Sequence, residues 1–324
     1  MLSIVISAIL FLIGLVILIY GADSLVRGAS SIAKKAGLSP LFIGLTIVAF
    51  GTSLPELVVN LFASFNGSND IAIGNILGSN ISNILLILGV SSLIYPLTLK
   101  KTTIAKEIPF SFLAVLVLFI LANDELLDGL QKSLFSRGDG LVLLFFFIVF
   151  MYYTFGISRE TSSESKDKNE VKIYKYYISI FMIFGGLVGL VVGGNVMVNA
   201  AIKIAKLLDV SEALIGLTIV AVGTSLPELA TSAIAAWRKN SDIAVGNIVG
   251  SNIFNIFWIL GVSATIRPLY FSPQANFDIF VVMLATLILI PFMFIGQRNV
   301  LQRSQGAIMV FLYVVYVIYL IVRG

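Results

Sequence analysis

The chain has 324 residues, of which 58% are hydrophobic and only 12% charged, with a mean hydropathy of +1.03. No water-soluble domain of this size tolerates that composition on its surface, so the solvent is lipid and little chain is left for a soluble domain. Cysteine and histidine are both absent, which excludes a disulfide frame, a thiolate metal site and the usual imidazole proton carrier.

A spanning helix needs roughly 20 mostly apolar residues. Ten such runs follow one another at 2–20, 41–65, 71–95, 108–122, 141–157, 174–198, 213–237, 243–266, 277–295 and 307–322. The first lacks the basic leader of a signal peptide and reads as a helix. The fourth, at about 15 residues, is short for a span unless flanking groups snorkel.

Basic residues in short loops stay on the cytoplasmic side of a membrane. Alternate loops carry Arg27, Lys34 and Lys35; Lys100, Lys101 and Lys106; Arg159, Lys166, Lys168, Lys172 and Lys175; Arg238 and Lys239; and Arg298 and Arg303, leaving six of the 21 basic residues for the opposite face. The expectation is an all-α membrane protein of ten transmembrane helices with both termini extracytoplasmic. The net charge of +4 records this sorting and offers no argument for nucleic acid.

Residues 43–91 and 215–263 align without a gap, and about two-thirds of the paired positions are identical, the mark of a duplication. Each copy is preceded by one helix and followed by two, and an odd number of helices per half makes the second half enter from the other side of the membrane. The chain therefore divides into a first five-helix half (1–158), a hydrophilic cytoplasmic linker (159–173) and an inverted second half (174–324). The linker composition, RETSSESKDKNEVK over 159–172, reads as a solvated tether.

The first segment of each repeat reads GLTIVAFGTSLPEL (44–57) and GLTIVAVGTSLPEL (216–229), burying Glu56 and Glu228 near mid-membrane. An ionisable group at that depth costs about 2.5–3.5 kcal/mol on insertion scales, so its presence in both copies asks for a counter-charge. Neither motif, nor the helix after it, contains Lys or Arg, and a bound cation is the simplest remaining partner. Pro55 and Pro227 lack an amide hydrogen, so the carbonyls of Gly51 and Gly223 lose their helical donors. Freed oxygens at this depth line a polar cavity and are hard ligands suited to sodium or calcium. Ser53 and Ser225 lie three residues before the glutamates, on the same helical face. The competing reading, an ordinary proline kink healed by neighbouring helices, does not account for a glutamate beside the proline in both copies.

The second segment reads GNILGSNISN (74–83) and GNIVGSNIFN (246–255). Asn75, Ser79 and Asn83 recur every four residues, as do Asn247, Ser251 and Asn255, giving one polar stripe per apolar helix. Helix–helix hydrogen bonding is the plainer reading for Asn75, Asn247, Asn80 and Asn252. Oxygen ligation is the better reading for Ser79, Asn83, Ser251 and Asn255. Asp23, Asp70, Asp242 and Asp278, near the membrane edges, read as solvated ends or caps.

Paired GTSLPE segments, each followed by a GN…GSN…N helix, resemble the two alpha-repeats of the cation/calcium exchanger superfamily, in its prokaryotic sodium/calcium exchanger branch. The resemblance covers the whole chain in helix number and inverted layout. It implies cation positions clustered at the middle of the bundle, with sodium and calcium competing for shared ligands, in a prokaryotic cell membrane and with no obligatory protein partner. It implies that Glu56, Glu228 and the backbone oxygens of Thr52 and Thr224 hold calcium. For sodium it implies Ser53, Ser79, Ser225 and Ser251 together with the glutamates, Asn83 and Asn255, and the backbone oxygens of Ala49 and Ala221. Where some relatives have an aspartate, this chain has Asn255, which removes a carboxylate and argues against potassium co-transport. Three-for-one exchange, and so electrogenic transport by alternating access, is likewise what the resemblance implies. A proton/calcium antiporter would use the same glutamates, alternately protonated and calcium-loaded. A cation channel fits interrupted helices around a closed central site less well. No enzyme is expected, because the motifs offer no nucleophile–base pair and no histidine metal ligand.

Overall fold

The computed structural model describes residues 2–158, 172–207 and 221–323. The linker up to residue 171 and the first part of the run expected at 213–237 lie outside the described residues. Eight helices among the described residues are long and apolar enough to cross a membrane, and one bent pair brings the number to nine.

In chain order the framework is α1 (Leu2–Ala36), the bent pair α2 (Pro40–Thr52) and α3 (Leu54–Asn66), α4 (Asn69–Ile94), α5 (Thr103–Leu121), α6 (Arg137–Ile157) and α7 (Tyr176–Leu207). It continues with a second interrupted segment, α8 (Ala221–Thr224) and α9 (Leu226–Trp237), then α10 (Ser241–Ile266), α11 (Asn276–Phe292) and α12 (Arg303–Arg323). Local chemistry sets several starts. Ser39 accepts from Phe42 N at 3.1 Å ahead of Pro40 in α2, and Ser136 and Asp139 close a reciprocal capping box at the head of α6.

Two helices run well beyond the apolar stretches that announce them. The first run, expected to end at residue 20, continues to Ala36, and the sixth, expected over 174–198, is helical as far as Leu207, the last described residue of that stretch. Hydropathy marks where a chain leaves lipid, whereas helix continuation depends on a buried stripe. In α1 that stripe is Ala22, Leu25, Val26, Ala29 and Ala33, all buried, and the helix stops only before Gly37, whose φ of +64° suits a left-handed turn. Arg27, expected in a loop, lies inside α1 and pairs with Asp23 one turn earlier at 2.8 Å. The short fourth run is lengthened at its start by a π-helical turn, Thr103–Glu107, which gives α5 the 19 residues a span requires.

α1 and α7 lie against each other along most of their length. Their backbones touch at glycines: a Cβ on Gly186 would sit 2.7 Å from Gly21 O and Leu25 N, so only glycine permits this approach. α4 and α10 form the enclosed centre of the bundle, while outer helices turn large apolar side chains such as Phe145, Phe181, Leu284 and Phe311 outward.

The loops gather on two faces. On one, Ser39 N donates to Ser158 O at 3.1 Å, Lys100 pairs with Asp242 at 2.7 Å, and Asn240 donates to Ser30 at 3.1 Å. There β1 (Leu97–Thr98) also pairs antiparallel with Val300–Leu301. On the other, Arg267 donates to Phe65 O at 2.7 Å, and β2 (Ser133–Phe135) pairs antiparallel with β3 (Leu269–Phe271), leaving Val300–Leu301 as β4. These two small pairings, absent from the all-α expectation, staple the two halves of the chain together at either face.

Candidate cation site

Each interrupted segment breaks at the residue before a Leu-Pro pair. Ser53 has φ −84° and ψ 7°, Ser225 has φ −86° and ψ 6°, and the axis turns by 46° between α2 and α3. Pro55 and Pro227 fall in the first turn of α3 and α9, where a missing N–H costs least, and each break carries its glutamate one residue further on. The same local sequence has thus folded into the same local geometry twice.

Glu56 and Glu228 are 0% and 1% exposed and close enough to interact electrostatically. Ser53 Oγ, on the first break, donates to Glu228 Oε1 at 3.0 Å. Ser79 Oγ, on α4, donates to Glu56 Oε1 at 3.1 Å and shares a 3.0 Å hydrogen bond with Ser225 Oγ on the second break. Each carboxylate is therefore held by a serine hydroxyl, and two hydrogen bonds, Ser53–Glu228 and Ser79–Ser225, cross between the two copies of the repeat. None of the ion pairs among the described residues involves either glutamate.

Among the buried oxygens without a hydrogen-bond partner are Glu56 Oε2 and Glu228 Oε2 beside the two breaks, and Asn83 Oδ1 on α4 and Ser251 Oγ and Asn255 Oδ1 on α10, five in all. Native interiors rarely leave such groups unsatisfied without a bound ion or water. All five are hard donors, the set that sodium and calcium prefer. Among the described residues there is no cluster of three or more Asp, Glu, His or Cys side chains, so the site has two charges and otherwise neutral oxygens.

The amides beside the site do more than join helices. Asn75 Nδ2 reaches Glu56 O at 3.4 Å and Asn60 Oδ1 at 3.2 Å, while Asn247 Nδ2 reaches Glu228 O at 3.5 Å and Ser232 Oγ at 2.9 Å. Thr52 Oγ1 donates to Asn247 Oδ1 at 3.0 Å, tying the first break to α10. The Ala49 carbonyl accepts from Ser53 N at 3.0 Å, which leaves one of its lone pairs for a further partner. The backbones of Ala221 and Thr224 stand in α8, at the matching place on the second break.

Sequence reasoning missed Asn60 and Ser232, although each lies one helical turn after a glutamate, the spacing that gives its presence away. It also missed Glu107, 0% exposed, which accepts from Tyr153 Oη at 2.6 Å between α5 and α6, away from the central serine hydroxyls. Three of the four edge aspartates are more than solvated caps. Asp23 pairs with Arg27 and Arg238, Asp242 with Lys100, and Asp278 accepts from Tyr316 at 2.9 Å with Arg323 at 3.6 Å; Asp70 alone is exposed.

Eight apolar helices among the described residues, or nine with the bent pair, around a buried pair of carboxylates define an integral, multi-pass membrane protein built to handle small cations. A family model described as sodium/calcium exchanger protein matches residues 6–156 and 178–322, so the chain belongs to the sodium/calcium exchanger family. Sodium/calcium exchanger MaX1 of Methanosarcina acetivorans is 33% identical over 348 aligned positions, covering 98% of this chain and 99% of the relative. Inner membrane protein YrbG of Escherichia coli is 37% identical over 277 positions, covering 83% and 82%. The solved structure of the sodium-calcium exchanger NCX_Mj, soaked with sodium and no calcium, superposes with a TM-score of 0.81 at 35% identity, covering 96% of this chain and 98% of that one.

Proposed function

We propose that this chain is a secondary active antiporter that exchanges sodium for calcium across a prokaryotic cell membrane. The observation that carries this reading is a pair of buried carboxylates with no basic partner among the described residues, each with one unsatisfied oxygen, together with the unsatisfied oxygens of Ser251, Asn83 and Asn255. Two negative charges balance one calcium ion. Serine hydroxyls and asparagine oxygens add the neutral ligands that several sodium ions require and that a proton carrier does not.

In this reading calcium is held by Glu56, Glu228 and the backbone oxygens of Thr52 and Thr224. Sodium takes the same carboxylates with Ser53, Ser79, Ser225, Ser251, Asn83 and Asn255, and with the backbone oxygens of Ala49 and Ala221. The framework is ten helices in two inverted halves, 1–158 and 174–324, joined by a cytoplasmic linker at 159–173, with both termini outside. The meeting of the Lys- and Arg-rich loops on one face supports that orientation.

The packing supports alternating access, in which the glycine-lined pair α1 and α7 serves as the sliding unit against the central helices α4 and α10. Exchange of three sodium ions for one calcium moves one net charge per cycle, worth about 2.3 kcal/mol per 100 mV of membrane potential. The test is made in sealed vesicles: an outward sodium gradient drives calcium uptake, and an inside-negative potential opposes the exit of sodium. Calcium uptake that ignores sodium and follows a pH gradient assigns the chain to proton/calcium exchange instead.

A further inference from the structure

Asn80 and Asn252 stand one position beyond Ser79 and Ser251, and both are buried, at 0% and 2% exposure. Their bonds form a cross between the central helices. Asn255 Nδ2 on α10 donates to Asn80 Oδ1 on α4 at 2.9 Å, and Asn83 Nδ2 on α4 donates to Asn252 Oδ1 on α10 at 3.0 Å. Asn80 is itself fixed by donating through Nδ2 to Asn252 O at 3.3 Å. The carboxamide oxygens of Asn83 and Asn255 are the ones left without a partner.

A carboxamide is a two-ended group, a donor on one side and an acceptor on the other. Turned the wrong way, Asn83 or Asn255 presents N–H groups to a cation and sets its oxygen against another oxygen. We propose that Asn80 and Asn252 are positioning residues that fix the polarity of the site: by accepting the NH2 groups of Asn255 and Asn83, they turn both oxygens toward the transported ion. This rests on the sodium/calcium reading above, in which those two oxygens are ligands. It matters most at Asn255, because a carboxylate there has an oxygen at each end and needs no such orientation, whereas an amide does.

The experiment is a double-mutant cycle read as sodium and calcium affinity, on purified protein by calorimetry and in liposomes as KM against maximal rate, with a thermal melt to verify folding. Asn80→Leu removes the acceptor, and loss of an outer partner of this kind lowers metal affinity roughly 10–100-fold. Asn80→Asp keeps an acceptor for Asn255 and loses less than Asn80→Leu. In the Asn255→Asp background the same Asn80→Leu change costs less than about threefold, a coupling that independent structural damage does not produce. Additive effects, an unchanged affinity in Asn80→Leu, or a larger loss in Asn80→Asp overturns the proposal. Should Asn80→Leu fail to fold, Asn252→Leu with Asn83→Asp forms the equivalent cycle on the other arm of the cross. Asn255→Leu separates the two levels: if it leaves ion affinity unchanged, the ligand assignment itself is wrong. If Asn255→Leu weakens binding and Asn80→Leu does not, only the positioning role falls.

Discussion

Ser53 Oγ donates to Glu228 Oε1 at 3.0 Å, although the two residues lie 175 positions apart and on different copies of the duplicated segment. Each half of the molecule completes the other's carboxylate, so the site exists only where the two breaks meet. That makes the glutamates and the crossing serines the first residues to test.

Glu56→Gln and Glu228→Gln each remove a charge from the proposed shared site and are predicted to lower sodium-driven calcium uptake by at least about tenfold, the lower bound being the cost of losing an outer partner alone. Neither destabilises the ion-free protein, because a buried carboxylate without a cationic partner is costlier to keep than a neutral amide. Calcium raises the native melting temperature, since an ion at 100 times its Kd stabilises by about 2.7 kcal/mol, and this shift disappears in both variants. Thermal melts with and without calcium, beside vesicle uptake, make the check.

Ser53→Ala and Ser225→Ala each remove a hydroxyl that bonds across the two copies of the repeat. Ser53 donates to a carboxylate, and a hydrogen bond to a charged group contributes about 1.5–3 kcal/mol, so the sodium KM rises by about tenfold or more in Ser53→Ala. It rises by less in Ser225→Ala, whose hydroxyl bonds the neutral Ser79. Calcium, which the proposed site assigns to the carboxylates and backbone oxygens, is affected less. Sodium and calcium concentration dependences measured on the same reconstituted variants give the ratio.

Gly186→Val places side-chain atoms where a Cβ already lies 2.7 Å from Gly21 O and Leu25 N. Overpacking of this kind costs about 1–3 kcal/mol. The melting temperature falls, and the maximal transport rate falls more than ion affinity does if α1 and α7 are the sliding unit of the proposed alternating access. Equal losses in rate and affinity would instead place the damage at the ion site.

Much of this arrangement is legible in the chain itself, for physical reasons. A Gly-Thr-Ser-Leu-Pro-Glu run writes a helix break and a buried charge into six consecutive residues, and its duplication at 51–56 and 223–228 announces a paired site. The full lengths of α1 and α7 are not legible from hydropathy, because residues such as Ala22, Leu25 and Ala29 continue the helix on a buried stripe beyond the apolar run. The strand pairings of two and three residues are too short to display a period. The roles of Asn80 and Asn252 are hidden for a different reason. An asparagine on an apolar helix reads as interhelical bonding in either orientation, and only a partner about half the chain away decides which end faces the site.

The account depends on two carboxylates from opposite halves sharing cations that alternate between sodium and calcium. The most direct measurement is calcium entry into liposomes loaded with sodium, with pH equal on both sides, compared with liposomes lacking the sodium gradient. The account predicts rapid entry that requires the outward sodium gradient and is lost in Glu56→Gln and Glu228→Gln. Calcium entry that is indifferent to sodium, or that persists in both variants, would contradict it.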